Sequence, residues 1–203
     1  MRTPLIFGIA AFAAAVGAGE FRVPAGGGAP REKGAAMWQC DETALTVKFH
    51  FEDSSIIAQG TADQQPHHIL GEVLEIFIVP PSGRYYWEIF VTPKGWQSVY
   101  RWRPEAPGRA RELLSEADLR IGAEIGVAAG SWGGRVSIPR SALEQYGETF
   151  AADGRWRILL ARQNYTGKVD KLHRELSSWP ALSQVDFHLL GEYAALKADA
   201  AAN

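Results

Sequence analysis

Cysteine, methionine and net charge are all scarce in this 203-residue chain. Cys40 stands alone, so no intramolecular disulfide and no cysteine-based zinc site can form. The 21 Lys and Arg nearly balance the 23 Asp and Glu, and the net charge of −2 excludes the broad basic face that a nucleic-acid partner needs. After the first sixteen residues no apolar run is long enough to span a membrane as a helix. There is no G-x-S-x-G nucleophile elbow, no phosphate-binding glycine loop and no internal repeat. What is present is an ordinary globular composition, 46% hydrophobic and 22% charged, of a length suited to one core. Seven tryptophans are many for this length.

The N-terminus has the form of an export signal. Arg2 supplies a one-charge leading region, and Pro4 to Val16 an apolar stretch of signal-peptide length. Val16-Gly17-Ala18 gives the small-residue cleavage pattern, with Gly19 as the first mature residue. The alternative is an uncleaved N-terminal anchor. Cleavage implies a secreted or periplasmic protein with no transmembrane span left. Cys40 lies too far downstream, and lacks the apolar flank, for a lipoprotein cysteine.

Residues 71–95, GEVLEIFIVPPSGRYYWEIFVTPKG, carry the most information. Two alternating runs, 71–79 and 85–92, are joined by the Pro80-Pro81-Ser82-Gly83-Arg84 turn as a hairpin. Alternation puts Glu75 on a face with Val73, Phe77 and Val79, and Glu88 on a face with Tyr86 and Phe90. A carboxylate among such neighbours costs free energy unless it is paired. Each therefore either clamps the fold to an arginine or faces a cavity for polar ligands.

Further strands are expected at 44–51, 97–103, 121–128, 134–139 and 155–163, with a short one possible at 55–59. Residues 21–33 are either an edge strand or a linker. A helical stretch is expected within 106–119 (ARELLSEADL), a helical turn at 140–146 after Pro139, a long polar loop at 165–183, and a frayed tail after Gly191, with 195–203 flexible. Many short strands with little helix predict an all-β fold. The form expected is an antiparallel β-sandwich with immunoglobulin-like or jelly-roll-like layers and one or two short helices.

The ordered set VLEIF, YYWEIFVTPKG, IPRSAL, WRILLARQN, SSWPAL and VDFHLLGEY resembles the family 9 carbohydrate-binding modules and the wider DOMON-like β-sandwiches. The match covers about 38–193, with 19–36 as an N-terminal strand or linker before the module. The closing element reads Phe187-His188-Leu189-Leu190-Gly191 without the family's proline, and His67-His68 stand where an aromatic is usual. The resemblance implies a monomeric, non-catalytic module that binds an oligosaccharide or polysaccharide and supports polysaccharide breakdown. In that family a sugar end lies between two tryptophans while charged and amide groups read its hydroxyls. Carried to this chain, the ligand site is Glu75, Glu88, Arg162, Asn164 and Trp179, with Trp96 or Trp102 as the second ring.

Other readings stand beside it. Glu75 and Glu88 are structural if Arg101, Arg103 or Arg162 pairs with them, and Trp87, Trp132 and Trp156 suit a core. Calcium could be held by Asp41, Glu42, Glu52 and Asp53. His67 and His68 would point to opposite sides of an extended segment, which disfavours zinc or copper. Haem, which some DOMON-like sandwiches bind, would need Met37 and His188 as axial ligands. A glycosidase would need two flanking carboxylates, Glu72 with Glu75 or Glu75 with Glu88. A cell-surface structural module without sugar affinity is the last alternative.

Overall fold

The computed structural model describes residues 17–105, 110–114, 121–168 and 171–197. Its strands are β1 (Gly17–Glu20), β2 (Gly34–Cys40), β3 (Ala44–Glu52), β4 (Val73–Val79), β5 (Tyr86–Val91) and β6 (Gln97–Arg103). They continue as β7 (Ala110–Leu113), β8 (Gly122–Ala128), β9 (Ser131–Pro139), β10 (Asp153–Lys168), β11 (Lys171–Trp179) and β12 (Ala194–Lys197). A one-turn helix, α1 (Arg140–Leu143), follows Pro139, and His67–Ile69 form a 3-10 turn.

Alternation in these segments builds two antiparallel sheets. The first runs β1-β2-β3-β9-β8 and the second β11-β10-β4-β5-β6-β7, with β12 also on β10. β11 pairs with residues 160–168 of β10 and β12 with residues 153–158, so the two lie end to end along one edge of that long strand. β4 holds the other edge.

The core lies between the sheets. Leu45, Val47, Phe49 and Phe51 of β3 meet Leu74, Ile76 and Ile78 of β4, Trp87 and Ile89 of β5, and Trp156, Ile158 and Leu160 of β10. Each such side chain contributes about 1.5–3 kcal/mol on burial. Trp87, Trp132 and Trp156 all belong to this layer. A second apolar layer lies on the far face of the second sheet. There Phe77, Val79, Tyr86 and Leu159 are covered by Leu182, Phe187 and Tyr193 from the segment between β11 and β12. With Val73 and Phe90 packed in a smaller cluster beside Tyr100, every residue of β4 and β5 is buried.

Two glycines in β1 allow a close approach. A Cβ on Gly17 would lie 2.0 Å from the ring of Trp38, and one on Gly19 would lie 1.9 Å from the indole of Trp179. The two indoles pack together at 4.6 Å. Only a bare backbone fits against that pair.

Four expectations differ from the structure. Ala110–Leu113 is strand rather than helix, because Trp102↔Arg111 and Tyr100↔Leu113 extend the β5-β6 meander; residues 106–109 and 115–119 of that stretch lie outside the described residues. The expected loop at 165–183 is largely the β10–β11 hairpin, whose polar composition reflects an edge strand. The expected tail contains β12, anchored by the fully buried Leu196, and residues 198–203 lie outside the described residues. Residues 55–59 make one isolated bridge, Ala58↔Gly71, instead of a strand. β2 carries no expectation at all. Of the expected export signal, residues 1–16 lie outside the described residues, while Gly17 and Ala18 belong to β1.

Candidate functional site

The far face of the second sheet turns polar where the covering segment ends. β4 presents Glu75, β5 Glu88 and Phe90, β6 Tyr100 and Trp102, β7 Arg111, β10 Gln163 and Tyr165, and β11 Arg174. The register places them together: Glu75 stands opposite Phe90, Glu88 between Phe77 and Tyr100, Trp102 opposite Arg111, and Tyr165 opposite Arg174. Glu75 and Glu88 are therefore diagonal neighbours on adjacent strands, on the order of 7 Å apart between backbones.

Neutral donors hold both carboxylates. The Gln163 amide donates to Glu75, and the Trp102 indole N–H donates to Glu88 at 2.6 Å. Glu75 and Glu88 are 1% and 4% exposed. Burial pushes Glu75 well above the ordinary carboxylate range, and repulsion from Glu88 adds to it. Burial also pushes Glu88 up to about 7, against the Trp102 hydrogen bond and the charge of Arg111, which lower it. A protonated carboxyl both donates and accepts, which suits it to hydroxyl groups.

Cations and rings close the rim. Arg174 Nη1 donates to the Gln163 carbonyl at 3.3 Å. The Arg111 guanidinium lies 4.3 Å over Tyr100 and 5.4 Å over Trp102. On one side His68 stacks on Phe90 at 5.4 Å, and the Tyr165 hydroxyl donates to the His68 carbonyl at 2.6 Å. On the other, His188 sits 4.7 Å from Trp102, and its Nδ1 shares a 2.8 Å hydrogen bond with the Tyr86 hydroxyl. Trp102 stacks parallel on Tyr86.

The residues expected as one site divide between two faces. Glu75, Glu88 and Trp102 come together as described. Arg162, Asn164 and Trp179 face the first sheet, on the opposite side of β10 and β11. Arg162 is fully buried, 4.7 Å over the Phe51 ring, with Asp53 at 3.2 Å, Glu72 at 3.7 Å and Glu32 at 3.8 Å. Asn164 donates to Glu32 at 2.9 Å. Trp179 is half-buried against Trp38. Trp96 lies in the β5–β6 turn, its backbone N–H bonded to Thr92 Oγ1. The expected pairing of Glu75 or Glu88 with Arg162 therefore does not occur, and Arg101 instead pairs with Glu112.

Several residues of the polar face carried no expectation. Gln163 is next to Arg162 in the sequence, and its parity with Leu159 and Ala161 was the available signal. Arg111 and Arg174 were hidden in segments read as helix and loop.

The other constellations disperse. Glu72 faces inward, where burial and then Asp53 push its carboxyl up to about 9, so Glu72 and Glu75 cannot flank one bond. Asp41 caps the β2–β3 turn, bonding the backbone of Thr43 and Ala44. Asp53 follows the far end of the nine-residue β3, roughly 30 Å away. The four acids proposed for calcium thus do not converge, and no group of three potential metal-ligating side chains forms among the described residues. Met37 is on the first sheet and His188 over the outer face of the second, so they cannot ligate one haem iron.

No family model and no curated protein matches the chain. Solved structures do. A protein of Bacteroides uniformis, named as a candidate carbohydrate-binding protein, matches with a TM-score of 0.67 at 16% identity, over 88% of this chain and 84% of that one. A family 9 carbohydrate-binding module of Caldicellulosiruptor kristjanssonii was solved with glucose and with cellotriose. Both complexes match at a TM-score of 0.46 and 11% identity, over 77% of this chain and 72% or 71% of theirs. The first of these likenesses shows a shared two-sheet β-sandwich fold.

Proposed function

We propose that this protein is a non-catalytic carbohydrate-binding β-sandwich, exported from the cell and acting on polysaccharide material. One observation carries the reading. Two buried carboxyl groups, an amide, an indole and two arginines share one sheet face, where hydrophobic side chains would cost less. The carboxyls of Glu75 and Glu88, with Gln163 and Arg174, offer donors and acceptors for sugar hydroxyls on one sheet face. Trp102, which is half-buried, offers a ring for the apolar side of a sugar. Fold likeness to a named candidate carbohydrate-binding protein is consistent with this reading. No hydrolysis is assigned, because Glu75 and Glu88 already bond to neutral side chains at the bottom of the face.

The test is intrinsic tryptophan fluorescence of the purified chain titrated with neutral and acidic oligosaccharides. The expected result is a saturable shift that is lost in Trp102→Leu and weakened in Arg111→Ala, with both variants melting as cooperatively as the parent. Absence of a shift with every sugar overturns the reading.

A further inference from the structure

A groove of about 380 Å³ runs along the β11 edge of the second sheet, between that strand, the segment from Val23 to Arg31, and Val185. Its size is at the lower end of the range for small-molecule sites, enough for about one sugar ring. Arg31, His173 and Arg174 line it with one acid, Glu175. The acid is already engaged, since Glu175 Oε1 accepts the backbone N–H of Arg31 at 3.0 Å. Among the described residues, no carboxylate lies within ion-pair distance of the guanidinium of Arg31 or Arg174. Arg174 is also oriented by its bond to Gln163. It stands where the groove meets the polar sheet face.

The walls are mixed. Leu176 lines the groove, and so does Val185, which is 65% exposed, a large share for a branched apolar side chain. Two guanidinium groups against one carboxylate leave the groove with a surplus positive charge, and beside an apolar wall they fit a ligand with a carboxylate at one edge and a C–H surface beside it. Arginine forks match carboxylates in two-point contacts. A bare inorganic anion would use the arginines and leave the wall uncovered. A neutral sugar would use the wall and leave the arginines unpaired.

We propose that this groove is a second binding site, for an acidic sugar: a pyranose ring whose carboxylate is taken by Arg31 and Arg174 and whose C–H face rests on Leu176 and Val185. The proposal rests on the carbohydrate-binding reading above; it shares Arg174 with that face and otherwise places the ligand on Arg31, Leu176 and Val185.

The experiment is calorimetric titration of the full chain with three probes: trigalacturonate, its carboxyl-reduced counterpart and cellotriose. Trigalacturonate is expected to bind about tenfold or more tighter than the reduced form. That preference should weaken as salt is raised. Arg31→Glu should lower trigalacturonate affinity by about tenfold or more, while Arg155→Ala, at the other end of β10 and paired with Asp153, leaves it unchanged. Arg31 is exposed, and an unchanged thermal melt of the variant confirms its fold. Equal affinity for the acidic and reduced probes overturns the acidic-sugar site and leaves carbohydrate binding standing. So does acidic-sugar binding that Arg111→Ala abolishes and Arg31→Glu does not. Failure of all three probes to bind overturns both proposals. Inorganic phosphate competing as well as free galacturonate would reduce the groove to a plain anion site and overturn the sugar assignment.

Discussion

The Trp102 indole N–H reaches across from β6 to the Glu88 carboxylate at 2.6 Å, so a carboxyl group in the middle of a sheet is held by a neutral ring rather than by an arginine. The bond favours the charged carboxylate, but burial outweighs it. Glu88 therefore keeps its proton up to about pH 7, and Glu72 on the other face up to about pH 9.

Glu75 and Asp53 are shifted the same way, and Glu88 and Glu72 mark out the window of the pH response. Both carboxyls bind protons more tightly folded than unfolded, so the unfolded chain releases protons first as pH rises. Their contribution is complete below the unfolded value of about 4.5 and is lost as pH climbs through about 7 for Glu88 and about 9 for Glu72. Melting temperature should fall across this window in thermal scans at constant ionic strength. Glu88→Gln should flatten the part below about pH 7, and Glu72→Gln the whole window up to about pH 9. A melting temperature that rises steadily from pH 5 to 9, with neither variant altering the slope, would contradict the assignment.

Arg162 is the sole cation within 4 Å of Glu32, Asp53 and Glu72 among the described residues, and all three acids depend on it. Arg162→Met keeps the volume and removes the charge. It is expected to cost about 3–5 kcal/mol in urea denaturation, because it strands the buried Asp53 carboxylate beside Glu32. Glutamine at Asp53 and Glu72 together should restore much of that loss. Cellotriose titrations of a folded Arg162 variant should match the parent, since this cluster lies on the opposite side of β10 from the Glu75–Glu88 face.

Gly19→Val is expected to destabilise the chain by about 1–3 kcal/mol through overpacking against Trp179. The effect should be visible as a lower denaturant midpoint and a shifted tryptophan emission spectrum. The exposed neighbour Ala18 should accept valine with little change, since its side chain points away from the Trp38–Trp179 pair.

The sheets were legible where alternation was strong. β3, β4, β5, β9 and β10 all show it, and their existence follows from period-2 patterning. The side each strand turns inward was not legible for β4 and β5. Leu74, Ile76 and Ile78 are as apolar as Val73, Phe77 and Val79, because the covering segment with Phe187 and Tyr193 makes a second core. With both faces apolar, the parity linking Glu75 to Arg162 could not be fixed, and a one-residue step exchanged Gln163 for Arg162. β7 was hidden because Arg111, Glu112 and Leu113 are good helix formers, overridden here by pairing with β6. β11 was hidden because an edge strand tolerates polar side chains on both faces. The rim residues Arg111 and Arg174 were lost with those two strands.

The end-to-end arrangement of β11 and β12 along β10 also has a mechanical consequence. A tether attached beyond Lys197 would transmit force into a four-residue strand held on one edge only. The seam between β4 and β10, seven residue pairs long, lies one strand further in. Under tension β12 therefore acts as a fuse: it peels away and lengthens the tether while the sheet that carries both proposed binding surfaces stays whole.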